Sequence, residues 1–163
     1  MTDSGDAVHG SLIDTPLGPV WMESDGRNIT GLRFGPGKAA PHGIPDVLRE
    51  AEHQLRQYLE GKRRSFDLPL RPVGTPYQLS VWSAVRAIPW GSTISYQSIA
   101  DRIGGVTVAR AVGNANGANP IPIIIPCHRV IGNDGSLTGY ADGLWRKRWL
   151  LQHEGAIGAD LFS

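Results

Sequence analysis

Thiol is almost missing from this chain: one cysteine, Cys127, stands among 163 residues. A lone cysteine excludes an intramolecular disulfide, a CxxC redox pair and any multi-cysteine zinc site. Such a chain fits a reducing compartment, and a cytoplasmic location is expected. Long apolar runs are missing too. No stretch approaches the ~20 residues that span a bilayer, so no membrane partner is expected. Residues 1–10 carry acids and no apolar core of a secretory signal. Charge of one sign is also scarce. The net charge is +1, with −1 over residues 1–73 and +2 over residues 74–163. That asymmetry is too weak to argue for nucleic acid on its own. Repeats and low-complexity stretches are absent.

What is present is a globular composition, 40% apolar. The length suits one compact unit or two small domains sharing a core. The first third reads as antiparallel strands. His9–Asp14 and Pro19–Ser24 flank a Pro16-Leu17-Gly18 turn, and Asp25-Gly26 turns the chain into Asn28–Phe34. Gly35–Pro45 is a Gly- and Pro-rich connector. Pro45–Leu59 carries Val47, Leu48, Ala51, Leu55, Tyr58 and Leu59 at helical spacing, with Gly61 as the stop. Lys62-Arg63-Arg64 is read as a solvated helix end in preference to a nucleic-acid patch. Ser65–Leu70 is expected to return as a strand. Arg71–Gly74 is the best boundary, giving an α/β domain over 1–72 and a second domain over 73–163.

The second part is mostly helical. Thr75-Pro76-Tyr77-Gln78 has the form of a capping box with proline at the first helical position. Its helix turns Val81, Trp82, Val85 and Ile88 inward and ends before Pro89. Ser95–Ile103 is a short helix broken by Gly104-Gly105, and Thr107 starts another over Val108–Asn116. This is a helix-turn-helix pattern, though packing alone explains most such pairs. Pro120–Ile125 is apolar but interrupted by Pro122, hence an edge or irregular segment. Arg129–Thr138 reads as a hairpin turning at Asp134-Gly135, in the place of a wing. Asp142–Glu154 is a final helix with Asp142 as its cap and Leu144, Trp145, Trp149, Leu150 and Leu151 as apolar faces.

Chemistry concentrates at Pro126-Cys127-His128-Arg129-Val130. A cysteine attacks only as thiolate, and an ordinary thiol pKa near ~8.5 leaves little thiolate at neutral pH. His128 and Arg129 offer a base and a positive field. Adjacency does not make side chains meet, because neighbours in an extended segment face opposite ways. On these residues alone, a buried structural cysteine after Ile123-Ile124-Ile125 is the better reading.

The wider pattern changes that balance. The stretch from Ile124 to Ile131 resembles the active-site signature of the O6-alkylguanine-DNA alkyltransferases. Gly74-Thr75-Pro76-Tyr77-Gln78, Ile88-Pro89-Trp90-Gly91, Ser95-Tyr96, Ala109-Arg110-Ala111-Val112-Gly113, Asn119-Pro120, Gly139-Tyr140 and Leu150–Gly155 resemble that family in its order. The match is strong over 74–155, and the first 70 residues fit its N-terminal domain in size and pattern. The resemblance implies an α+β protein. Its parts are a small ribonuclease-H-like α/β domain, with an antiparallel sheet plus helix, and a mostly helical, winged helix-turn-helix domain.

The resemblance also implies roles. Cys127 is the alkyl acceptor. His128 takes its proton through a water, and Glu154 orients His128. Tyr96 crowds the target phosphate and donates to guanine N3. Arg110 fills the stack left by the flipped base, which must leave the duplex for its O6 to be reached. Asn119 ties the recognition helix to the active-site turn. Tyr140, the Val130 backbone, Ala141 and Asn116 form the guanine pocket. The Val108–Asn116 helix, with Ala111, Gly113 and Ala115, enters the minor groove. The implied reaction is direct reversal of O6-alkylguanine, with O4-alkylthymine as a further substrate. Transfer is irreversible and single-turnover, with no metal or cofactor. A monomer is expected, with cooperative assembly on DNA left open.

Two departures stand out. Ala141-Asp142-Gly143 replaces the family's small residue and Gly-Gly, and Asp142 is expected to weaken DNA affinity or exclude bulky adducts. The zinc ligands of some N-terminal domains are absent. Three rival readings fit the residues less well. A non-catalytic lesion binder of the same fold lacks the cysteine that stands here. A cysteine hydrolase needs an oxyanion hole that nothing marks. A winged-helix transcription factor would read unmodified DNA.

Overall fold

The computed structural model describes residues 8–37, 43–105 and 108–158. The chain forms two compact units, Met1–Val73 and Gly74–Ser163.

In the first unit, β1 (His9–Thr15), β2 (Gly18–Ser24) and β3 (Ile29–Phe34) pair antiparallel in that order. Thr15 Oγ1 closes the first turn, donating to the Gly18 carbonyl (2.7 Å) and accepting from the Leu17 amide (3.0 Å). Asp25 Oδ1 closes the second by accepting from the Arg27 and Asn28 amides at 2.9 and 2.8 Å. One face buries Ile13, Val20, Met22, Ile29 and Leu32. Helix α1 (Asp46–Leu59) supplies Leu48, Ala51, Leu55 and Tyr58 to the same core. Lys62 and Arg63 are held locally, Lys62 by Glu60 (3.3 Å) and Arg63 by Gln57 and the Ser65 carbonyl.

The expected strand over Ser65–Leu70 shrinks to one bridge between Leu70 and Ile29. The Ile29 amide donates to the Pro69 carbonyl (2.8 Å), and the Arg71 amide donates to Ile29 (2.9 Å). Pro69 has no N–H for a ladder. Asp67 spends its own amide on Gln54 Oε1 (2.9 Å). Part of the Gly35–Pro45 connector, residues 38–42, lies outside the described residues.

In the second unit, helix α2 (Pro76–Arg86) starts in the expected capping box, Thr75 and Gln78 bonding reciprocally. Strand β4 (Ile94–Ser95) leads into α3 (Tyr96–Ile103), where Ser95 Oγ accepts from the Ser98 amide (3.1 Å). Helix α4 (Ala109–Gly117) follows, and the expected start at Thr107 lies outside the described residues. Trp82 Nε1 on α2 donates to the Ala115 carbonyl on α4 (2.8 Å).

Residues 121–130 are all buried. Ile123 sits at φ 73°, a left-handed backbone that a β-branched side chain rarely adopts. Asn119 spans this kink, its amide donating to the Ile125 carbonyl (2.8 Å) and its Oδ1 accepting from the Ile121 amide (2.9 Å). A single tight turn, Cys127–Arg129, leads to β5 (Val130–Ile131) and later to helix α5 (Leu144–His153).

Two expectations here are corrected. The Arg129–Thr138 hairpin does not form: β5 pairs parallel with β4. Residues 132–136 close instead as a turn, Gly132 N–H to the Ser136 carbonyl at 2.9 Å. Thr138 is unavailable for pairing because its carbonyl is taken by side chains. Asp142 does not cap α5 either. Gly143 occupies that position at φ 104°, with no side-chain capping bond. Leu144 and Trp145 are exposed, and the buried residue of that first turn is Lys147.

Candidate active site

Cys127 is buried at the start of the tight turn. Its main-chain carbonyl accepts from the Asn116 side-chain amide of α4 (3.1 Å). Burial pushes the thiol up to about 11. A hydrogen bond from Asn119 and the Lys147 charge pull against that shift, while the Asp142 carboxylate adds to it. The resting group is therefore a thiol, and attack requires a base to remove its proton.

That base stands next in the chain. His128 is fully buried, and its Nε2 lies 2.8 Å from Glu154 Oε2. An ionised carboxylate only accepts, so Nε2 carries the proton and Nδ1 keeps its lone pair. Nδ1 is buried with no hydrogen-bond partner in the structure, a ring nitrogen left ready to accept. Burial lowers the His128 pKa below its ordinary 6.5, while Glu154 pulls the other way. The imidazole is neutral at neutral pH.

Glu154 is gripped from a second side. Arg129 Nε and Nη2 each reach one of its oxygens at 2.8 Å, and Nη1 donates to the Ile88 carbonyl at 2.5 Å. Burial works against the Glu154 charge, but the bonds from His128 and Arg129 outweigh it and hold its pKa at about 2. A forked guanidinium suits this task because it matches both carboxylate oxygens at once. The sequence reading offered Arg129 only as a source of positive field and missed this clamp.

Lys147 was missed altogether. Its buried Nζ donates to the Val130 and Thr138 carbonyls, both at 2.6 Å. Burial lowers its pKa to about 8. The Thr138 carbonyl also accepts from the Tyr96 hydroxyl (3.0 Å), so one oxygen joins α3, α5 and the segment before Tyr140. Between Arg146 and Arg148 a lysine reads as surface charge. Only the folded chain brings two carbonyls to it.

Cys127 floors a small cavity of about 20 Å³, walled by Asn116, Asn119, Pro122, Tyr140, Ala141 and Asp142. Val130, predicted for the pocket, is not among its lining residues: its amide donates to the Cys127 carbonyl and its own carbonyl is occupied by Lys147. Arg110 is exposed and lies elsewhere, in a groove of about 420 Å³ with Tyr96, Gly113, Asn114, Asn133 and Gly139. Ala111 is half-buried on α4 beside it. The predicted residues thus divide between a buried pocket and an outer groove that includes Tyr96, and Gly139 lines both. No metal-holding cluster of His, Cys, Asp and Glu occurs among the described residues. No helix among them is long and apolar enough to cross a membrane.

Residues 76–156 match the family described as 6-O-methylguanine DNA methyltransferase, DNA binding domain. Residues 8–72 match that family's ribonuclease-like domain. The chain belongs to the 6-O-methylguanine DNA methyltransferase family. The methylated-DNA–protein-cysteine methyltransferase of Methanosarcina barkeri is 48% identical over 153 residues, covering 90% of this chain and 97% of that one. The Mycobacterium tuberculosis protein of the same name is 47% identical over 152 residues, covering 90% and 92%. The crystal structure of the M. tuberculosis O6-methylguanine methyltransferase superposes with a TM-score of 0.81 at 46% identity, covering 94% and 97%. M. tuberculosis OGT in complex with DNA gives 0.82, covering 91% and 93%. Family membership accounts for the two-unit α+β architecture and makes DNA the partner of the helical unit.

Proposed function

We propose that this protein repairs alkylated DNA by taking the alkyl group from guanine O6, and from thymine O4, onto Cys127. One observation carries the reading. A buried, carboxylate-oriented imidazole with an open Nδ1 follows the only cysteine of the chain, at the floor of a pocket. The thiol proton passes through a water to His128 Nδ1. The sulfur then attacks the carbon on O6. As the S–C bond forms, the C–O6 bond breaks and its electron pair stays on the guanine, which is reprotonated. Glu154 stabilises the imidazolium, and Arg129 keeps Glu154 ionised.

The base must be flipped out, since O6 is out of reach within the duplex. Helix α4 enters the minor groove on its small residues, and Arg110 fills the vacated stack. A cavity of about 20 Å³ holds one water, not a purine, so the 139–142 rim moves as the base enters. Tyr96 must then leave the Thr138 carbonyl to donate to guanine N3. Asn116 and Asn119 hold the acceptor turn against α4. The thioether is stable, so each monomer acts once and no cofactor takes part.

The test is mass spectrometry after mixing with duplex DNA containing O6-methylguanine. One methyl on the Cys127 peptide and stoichiometric loss of the lesion are expected. Lesion binding with no adduct would overturn the reading in favour of a non-catalytic lesion binder.

A further inference from the structure

Asp142 is the one carboxylate lining the Cys127 cavity. It is only half-exposed, and burial raises its pKa while Arg146 opposes that shift. Its charge reaches the sulfur, since it is among the groups that act on the Cys127 thiol. The rest of the cavity wall is neutral: two asparagines, a proline, a tyrosine and the Gly139 and Ala141 segments. Two cations stand close by and keep their charge, Arg146 acting on Asp142 itself and Lys147 on the Cys127 thiol. Arg146 donates to the Asp142 main-chain carbonyl (2.8 Å) and lies over the Trp145 ring (4.6 Å). Lys147 spends its Nζ on two carbonyls. The Gly143 amide donates to the Tyr140 carbonyl (3.0 Å), so Asp142 sits within a closed turn and is carried with the rim when the rim moves.

Resting on the transfer reading above, we propose that Asp142 makes the pocket selective by the charge of the alkyl group. Neutral groups on O6 are accepted, and groups carrying a carboxylate are excluded. An O6-substituent must place its first carbon at the sulfur, so its remaining atoms lie against the rim that holds Asp142. Two carboxylates in a small, poorly hydrated space repel strongly, far more than across bulk water. Bulk is not the discriminating property, because the neutral rim segments can move while the charge travels with Asp142.

The experiment measures single-turnover transfer from duplexes carrying O6-methyl-, O6-carbamoylmethyl- or O6-carboxymethylguanine. The last two match in size and differ in charge. The readout is the carbamoylmethyl-to-carboxymethyl rate ratio, which cancels any general change in DNA binding or stability. It is expected to fall about tenfold or more from the parent to Asp142→Asn, and equally in Asp142→Gly. An unchanged ratio in both variants overturns the proposal. A fall in Asp142→Gly alone overturns it too, since size would then be the cause. The methyl duplex separates the layers: no adduct on Cys127 in the parent sinks the transfer reading itself.

Discussion

The two units bury polar groups of different kinds. Among the described residues, the first unit buries Ser11, Ser24 and Gln54, all neutral. Each serves the fold: Gln54 bonds both the amide and the carbonyl of Asp67, Ser24 closes the turn at Gly26, and Ser11 bonds Glu52. The second unit buries His128, Arg129, Lys147 and Glu154 besides Asn116. Burying ionisable groups costs stability unless every charge is paired, and an apolar substitute is often as good for the fold alone. Their concentration around one cysteine marks where folding is subordinated to chemistry. The first unit shows what the same chain does when only structure is at stake.

The contrast can be broken most sharply at Cys127. Replacing it by serine should abolish transfer while leaving binding to lesion-containing duplex intact, as read by mobility shift beside mass spectrometry. Residual transfer would place the acceptor elsewhere. Next come the paired charges. Arg129→Ala leaves the Glu154 carboxylate half-satisfied in a buried site and should cost about 3–5 kcal/mol in urea unfolding. Gln54→Ala in the first unit should cost only about 1–3 kcal/mol, the range for a lost buried amide. Similar losses at both positions would erase the distinction between the units.

Acid should separate the units as well. The folded pKa of Glu154 is depressed from 4.5 to about 2. Its contribution is therefore fully present above about 4.5 and drains away as pH falls toward 2. His128 is also lowered by burial, so its contribution is lost as pH drops below 6.5. Glu154→Gln should flatten the acid limb of a stability-against-pH curve, and an unchanged curve would mean other groups govern it. The same shift predicts that the acid limb of the transfer rate has its midpoint below 6.5. The smallest effect is expected at Arg33, whose exposed pair with Glu23 (3.1 Å) should contribute less than about 1 kcal/mol to unfolding.

Much of this was legible in the residues. Alternation and turn chemistry placed three strands, and the Thr75–Gln78 box placed the start of α2. The His128–Glu154 pairing followed from family order, spanning 26 positions that periodicity could never connect. What stayed hidden has physical causes. Lys147 sits among arginines in a helix whose apolar and charged residues do not segregate to faces, so pattern could not reveal its burial. The Ser65–Leu70 strand failed because Gln54, 13 residues away, takes the Asp67 amide. The hairpin failed because β5 found its partner in β4, a pairing no local signal announces.

The kink at Ile123 has a consequence for how such a protein can be inherited or engineered. A branched residue at φ 73° costs about 1–3 kcal/mol, and it persists only because Asn119 and the surrounding packing over-determine it. Glycine there would relieve the backbone strain and remove a fully buried side chain in the same stroke. The acceptor turn is therefore not a portable motif. Transplanting Pro126–Val130 into another scaffold would carry the letters and leave behind the tension that shapes them.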